Sequence, residues 1–239
     1  MPPTLGFLSA FGDAFQFIFE GQGSLTTGGR EVGGPEQVID LTLDHLKVTF
    51  LALGACVIVA LPTGLILGHI GKGETFAIAF GNAGRAVPEL AAIAFVFAFI
   101  GVGLGPVTLA LMVLGVPPIL TNAFVGVRQV ERGSVEAARG MGMTEAKILT
   151  KVEFPLAVPT IMSGVRTAAI NIVATATIAP LAGVATLGDF IINRNVYGDS
   201  GVLAGAVLVA LLAITIELSL AGLQRLMTSA GLRLQRAPA

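Results

Sequence analysis

The sequence predicts an all-α polytopic membrane protein, a bundle of helices that crosses a bilayer several times. Three observations carry that expectation. Hydrophobic residues fill 54% of the 239 positions and charged residues only 12%, against about 25% charged in an ordinary soluble domain. In water a domain of this size keeps a polar exterior however it folds. Mean hydropathy is +0.86. Two stretches without Asp, Glu, Lys or Arg, 48–71 and 90–127, are each long enough to cross a membrane, which takes about 20 apolar residues. This balance excludes a water-soluble enzyme and a disordered tail, and a net charge of −1 leaves no basic surface for nucleic acid. A single cysteine, Cys56, excludes a disulfide framework or a cysteine metal site. His45 and His69 are far apart with no ligand pattern near them, so neither a metal site nor a catalytic group is expected.

The run 48–71 makes one span. The uncharged positions from Leu90 to Val127 would make a helix of about 57 Å, nearly twice the roughly 30 Å hydrocarbon core, so this run folds back on itself. Gly101, Gly103, Gly105 and Pro106 supply the turn. Spans follow at 78–101, taking in Arg85 and Glu89 at the interface, and at 106–127. Two more, at 158–182 and 201–224, bring the expected number to five.

Positive charge orients them. Lys72, Arg85, Arg128, Arg132, Arg139, Lys147, Lys151, Arg225, Arg233 and Arg236 all fall on one side of a five-span chain, which is therefore the cytoplasmic side. The N-terminus then lies outside and the C-terminus in the cytoplasm. Residues 1–44 fit the outside, with six acids (Asp13, Glu20, Glu31, Glu36, Asp40, Asp44) against Arg30. Within them Leu5 to Phe19 is apolar but short. Phe7, Phe11, Phe15 and Phe19 recur every four residues, as in an amphipathic helix lying on the outer interface. A sixth span is the rival reading of that stretch.

The most informative segment runs from Arg128 to Pro155. Ser134 can cap a short helix in which Val135, Ala138 and Met141 repeat at helical spacing. Gly140 and Gly142 end it and let the backbone turn. A second short helix, about Thr144 to Val152, begins with a Thr cap, and Pro155 and Pro159 redirect the chain into the fourth span. A helix–glycine–helix element lying flat between two spans is a docking element.

At this point the sequence resembles the permease subunits of type I ABC importers. Their signature loop reads EAA, three residues, G, nine residues, then I-x-L-P. Glu136, Ala137, Ala138, Gly142 and Pro155 match at the required spacing, with Val152 and Phe154 as volume-tolerant departures. Asn82-Ala-Gly-Arg-Ala-Val-Pro88, Pro117-Pro-Ile-Leu-Thr-Asn122, Gly164-Val-Arg-Thr-Ala168 and Leu203–Ala213 are similar to the branch importing glycine betaine, carnitine and choline. One departure is visible. Gly183-Val-Ala-Thr-Leu-Gly188 keeps only the ends of a usually glycine-rich stretch, so the outer contact there is expected to differ.

The resemblance implies the MetI-like permease fold and a multi-pass protein of the cell (inner) membrane. Residues 1–44 would form an extracellular or interfacial segment, 45–227 the transmembrane permease domain with a cytoplasmic coupling loop at 129–155, and 228–239 a cytoplasmic tail. It also implies partners: a second permease, identical or homologous, two cytoplasmic ATPase subunits and an extracellular solute-binding protein. The coupling residues would be Glu136, Ala137, Ala138, Gly140, Gly142 and Pro155, on a loop that enters a groove of the ATPase and transmits its closure. The chain itself would be no enzyme and would bind no cofactor, with ATP and Mg held by the ATPase. Consistent with this, Gly68-His-Ile-Gly-Lys72 lacks the spacing and the Ser/Thr of a phosphate-binding loop, and no strand precedes Gly101-Val-Gly-Leu-Gly105. An amino acid or other small polar solute is the alternative cargo. An ion-coupled secondary transporter using Glu217 or Glu89 is the alternative class.

Several intramembrane residues have two readings. Arg166 and Glu217 fall at matching depths in the last two spans, where charge is costly. A structural ion pair is favoured over a solute site, because a pair satisfies both charges without a ligand. Glu89 either lines an inner vestibule or is solvated at the interface. Asn122 and Asn171 are expected to hydrogen-bond between helices. Pro62, Pro88, Pro117, Pro118 and Pro180 are expected to kink their helices. Gly64/Gly68 and Gly201/Gly205 are expected to permit close helix packing. A quaternary ammonium is usually held by aromatic faces, yet the chain has no Trp and one Tyr, Tyr197. Selectivity is therefore expected to reside mainly in the binding protein.

Overall fold

A computed structural model of the chain describes residues 3–228 apart from Thr27, Gly29 and Val87, and for 3–8, 76 and 82–86 it describes the backbone path alone. The expected tail at 228–239, Thr228 excepted, and the side chain of Arg85 lie outside the described residues. In chain order come helix α1 (Pro3–Phe19), the two-residue strands β1 (Gln22–Gly23) and β2 (Glu31–Val32), and helices α2 (Gly34–Ile70), α3 (Glu74–Ala86), α4 (Glu89–Ile100) and α5 (Leu104–Arg128). Then follow α6 (Arg132–Gly140), α7 (Glu145–Ile148), a π turn at Leu149–Glu153 and α8 (Phe154–Thr175). A 3₁₀ stretch at Ala176–Ala182, α9 (Gly188–Ile192) and α10 (Arg194–Met227) complete the chain. The fold is all-α but for the antiparallel pairing of β1 with β2, in which Gln22 faces Val32.

Four stretches among the described residues are helical, long and apolar enough to cross a membrane: Gly34–Ile70, Leu104–Arg128, Glu145–Ala182 and Arg194–Met227. Apart from Gly71, which lies one residue past the first of them, they contain the spans expected at 48–71, 106–127, 158–182 and 201–224. The span expected at 78–101 is instead two helices, α3 and α4, of 13 and 12 residues. Pro88 lies in the gap, and it has no N–H to give to a continuing helix. Helix α2 starts at Gly34, well before the expected span. Val38, Leu41, His45 and Val48 recur at helical spacing and are all buried, so an inward stripe carries the helix through Asp40, Asp44 and Lys47. Pro35 falls in its first turn, where a missing N–H costs nothing.

The chain divides into two compact units. One holds residues 1–51, 93–109 and 173–215, the other 52–92, 110–172 and 216–239. The chain therefore passes between units five times, at 51/52, 92/93, 109/110, 172/173 and 215/216.

The first unit has an aromatic core. Phe17, Phe190 and Tyr197 meet edge to face, with ring centroids 5.0–6.2 Å apart. Tyr197 is thus buried and is not an aromatic wall open to a solute. Gln37 Nε2 donates to the Tyr197 hydroxyl at 3.2 Å and Gln22 Nε2 to its carbonyl at 2.6 Å, tying β1 and the start of α2 to α10. On α1, Ala14 and Phe17 are buried while Phe11, Phe15 and Phe19 point outward. Phe11, Phe15 and Phe19 of the expected stripe therefore lie on the uncovered face of α1, while the side chain of Phe7 lies outside the described residues. In the same unit the 3₁₀ stretch ends at Gly183 in the left-handed region, φ +71°, and α9 folds back on it. A Cβ placed on Gly188 would lie 2.5 Å from the carbonyl carbon and 2.7 Å from the Cα of Thr177, and nearer still to its oxygen. The two glycines that 183–188 retains are the two that this reversal demands.

In the second unit glycines bring backbones together. A Cβ on Gly64 would lie 2.6 Å from Ala123 Cβ, and one on Gly68 would lie 2.9 Å from Phe124 O, so α2 and α5 touch here. Gly164 packs on Asn122 and Pro118 O in the same way, joining α8 to α5.

Candidate functional site: the loop at 129–155 and the intramembrane charges

Helix α6 begins at Arg132, with Glu131 at its N-cap, three residues ahead of the expected cap at Ser134. Ser134 is not the cap. It sits inside the first turn, its hydroxyl 3.4 Å from Glu131 Oε2. At the other end, Met143 N–H donates to Ala138 O at 3.2 Å and Gly142 N–H to Arg139 O at 3.0 Å, the paired bonds of a Schellman cap. That cap needs a left-handed residue, and Gly142 supplies it with φ +82°. Gly140 is the last helical residue and takes no unusual backbone angle. Thr144 does stand at the N-cap of α7 in an extended conformation, without a side-chain capping bond.

Burial sorts the motif residues. Glu136, Ala137, Gly140 and Gly142 are exposed, and Met141 is 76% exposed at the tip. Ala138 is 2% exposed and turns inward, so it is not part of the outer contact face as expected; with Ile148 and Glu153 it forms the buried side of the loop. The chain is not redirected at Pro155 and Pro159 either, since both lie within α8. The adjustment comes just before them. Pro155 has no N–H for the carbonyl four residues back and its ring crowds that carbonyl, so the preceding turn widens to a π turn, with Phe154 N–H bonding Leu149 O.

A polar series crosses the loop. The Arg139 guanidinium donates to both carboxylate oxygens of Glu145, each at 2.9 Å. Glu145 Oε2 is also 3.3 Å from His69 Nε2, and His69 Nδ1 meets Glu153 Oε2 at 2.5 Å. Neither His69 nor these partners stood out in the sequence. The signal available was a histidine in the last turn of an apolar helix and two acids eight residues apart.

Within the spans, Arg166 Nε and Nη2 both donate to Glu217 Oε1, the first at 2.9 Å, and Nη1 donates to Gln224 Oε1 at 2.9 Å. Gln224 Nε2 lies 3.4 Å from Pro159 O, closing a bridge between α8 and α10. Glu217 Oε2 is buried and has no hydrogen-bond partner among the described residues. Asn122 does not bond across helices. Its amide donates to Pro118 O, one turn back in α5, at 2.8 Å, because the facing residue of α8 is Gly164, which has no side chain to offer. Asn171 is half-buried in α8, and Glu89 is exposed as the first residue of α4. Neither joins the Arg166 cluster.

Known proteins are similar to this chain in sequence and in fold. A family model described as "Binding-protein-dependent transport system inner membrane component" matches residues 60–229. The carnitine transport permease protein OpuCB of Listeria monocytogenes is 38% identical over 193 residues, 80% of this chain and 88% of that protein. The choline transport system permease protein OpuBB of Bacillus subtilis is 39% identical over 193 residues, 80% of this chain and 89% of that protein. The osmoprotectant import permease protein OsmY of Salmonella typhimurium is 33% identical, with coverages of 74% and 76%. Among solved structures, an inward-facing form of the MetNI methionine ABC transporter aligns with a TM-score of 0.69 at 21% identity, covering 82% of this chain and 98% of that one. A likeness at that identity shows the fold. With the family model spanning most of its length, this chain belongs to the binding-protein-dependent transport system inner membrane components, the multi-pass permease subunits of ABC importers.

Proposed function

We propose that the chain forms, with a second permease subunit, the membrane pathway of an ATP-driven importer for a quaternary-amine osmoprotectant. The observation that carries this reading is the loop at 129–155, an exposed helix closed by a glycine cap at the motif positions and set between two apolar helices. Glu136, Ala137, Gly140 and Met141 make the face offered to an ATPase groove, while Gly142 shapes the exit and Ala138 and Pro155 hold the loop from beneath. Two such ATPases bind and hydrolyse MgATP, and an extracellular binding protein delivers the solute. The burial of Tyr197 in an aromatic core supports leaving most of the selectivity to that binding protein. The relatives named for carnitine, choline and osmoprotectant transport support the solute class.

Uptake of radiolabelled glycine betaine, carnitine, choline and methionine by the reconstituted complex tests the reading. Transport of a quaternary amine should require ATP and persist when proton and sodium gradients are collapsed. Uptake that follows an ion gradient without ATP would replace the importer with a secondary transporter. Methionine uptake alone would change the cargo.

In this reading residues 1–44 and 183–200 lie outside, and residues 129–155 and the tail at 228–239 lie in the cytoplasm. Native Cys56 is buried and should stay silent to an impermeant thiol reagent. A cysteine at exposed Asn195 should label from outside in intact cells, and one at Met141 only after permeabilisation. The opposite pattern would invert the topology.

Gly142→Val should uncouple the complex. A Cβ at Gly142 meets nothing within 4 Å, so the penalty comes from φ +82° alone, roughly 1–2 kcal/mol for an L-residue in that region. This corresponds to about a 5–30-fold loss of correctly shaped loops. Membrane insertion should persist while ATP consumed per solute rises; Gly142→Asn, which tolerates the left-handed region, should be milder. Wild-type uptake and hydrolysis in the valine variant would remove the loop from the transmission path.

A further inference from the structure

We infer that His69 clamps the end of α2 to the coupling loop through both ring nitrogens, so that loop movement drives α2 directly. The inference rests on the coupling role proposed for residues 129–155. Apolar packing alone does not make this joint. Ala138 is the one buried residue of α6. A pocket of about 270 Å³ opens between α6 and the end of α2, lined by His69, Arg128, Arg132, Glu136, Arg139 and Glu153 among others. Side-chain bonds span the gap. Arg139, in the last turn of α6, grips Glu145 in a two-pronged fork, a contact that fixes orientation as well as distance. Glu145 reaches His69 Nε2, and His69 Nδ1 holds Glu153 at 2.5 Å. Glu153 is only 5% exposed, and a buried carboxylate needs such a partner. Each ring nitrogen thus faces one carboxylate, Nε2 that of Glu145 and Nδ1 that of Glu153.

The series α6–Arg139–Glu145–His69–α2 is continuous, and beyond it α2 is locked to α5. Gly64 and Gly68, one turn apart, hold α2 against α5 just before His69. Packed interiors transmit displacement rather than absorb it. A loop pulled by the ATPase therefore moves α2 and α5 together. His69 acts here as a positioning residue.

The test is ATP hydrolysed per solute imported by the complete complex in liposomes, with glycine betaine, carnitine and choline as probes. His69→Leu should raise that ratio about tenfold, within the usual range of coupling between sites. His69→Asn places an amide nitrogen near the Nδ1 position and keeps Glu153; His69→Gln places one near Nε2 and keeps Glu145. Each should give a smaller rise, and the two remain informative if the leucine variant does not assemble. A wild-type ratio in the assembled variants overturns the clamp, as does a loss of complex with no change in the ratio of what remains. A raised ratio for Gly142→Val beside unchanged His69 variants rejects the clamp alone, whereas wild-type ratios in both sets reject the coupling role of the loop.

Discussion

Gly188→Ala should lower the melting temperature far more than any other single methyl added to the 183–188 turn. The added methyl would collide with the backbone of Thr177, whose carbonyl carbon lies 2.5 Å from the Cβ position. No rotamer change relieves a clash with backbone, so α9 must lift off the 3₁₀ stretch. Lifting it also breaks the bond from Thr186 Oγ1 to Ala176 O at 3.0 Å and that from Gly188 N–H to Thr186 Oγ1 at 3.1 Å. Overpacking costs about 1–3 kcal/mol and each lost bond about 1 kcal/mol, so a destabilisation of roughly 3–5 kcal/mol is expected. Gly183→Ala is the internal comparison. It has open space around it and only a left-handed backbone angle against it, for a cost of roughly 1–2 kcal/mol. Melting of purified protein in detergent ranks the two. A Gly188→Ala melting temperature equal to wild type would mean that α9 does not sit against Thr177.

Neutralising one member of the Arg166–Glu217 pair should destabilise the protein by ~3 kcal/mol, and neutralising both should restore most of that loss. Their side chains are 30% and 28% exposed, so the penalty falls at the lower end of what an uncompensated buried charge costs. Arg166→Met strands Glu217, one of whose oxygens already lacks a partner. Glu217→Leu leaves Arg166 with Gln224 alone. In the double variant neither charge remains, and an apolar replacement of a buried pair is often neutral or better. The double-mutant cycle is read from melting temperature, with uptake measured alongside. Single variants that melt like wild type but do not transport would assign the pair to the solute path instead.

Much of the loop at 129–155 was legible in order along the chain. Gly142 announced a helix stop, and the φ of +82° is the conformation that such a stop requires. Its neighbours were less legible. Ser134 satisfies every local rule for a cap, yet the helix starts earlier because Glu131 takes that position. Ala138 looked like part of a contact face, but which side of a nine-residue helix is covered depends on where Ile148 and Glu153 come to lie. Pro88 was expected to kink a helix and instead lies between two, a difference of degree that proline chemistry alone does not settle.

By itself the sequence determined the all-α membrane character, four of the five expected spans and the glycine stop of the loop helix. Apolar run length against membrane thickness, charge asymmetry and glycine placement are properties of consecutive residues, so they can be read from consecutive residues. Five spans were expected on that basis; four of them fall in helices long and apolar enough to cross a membrane, and the fifth is divided at Pro88 into two short helices. Tertiary structure alone decided the partnerships: His69 with Glu153 across 84 positions, Arg166 with Gln224 across 58, Gly188 against Thr177 rather than any other backbone. The physical reason is that a polar group or a glycine states only a need, for a donor, an acceptor or a space. Many residues in one chain would meet each need, and only the packing of helices brings one of them within 3 Å.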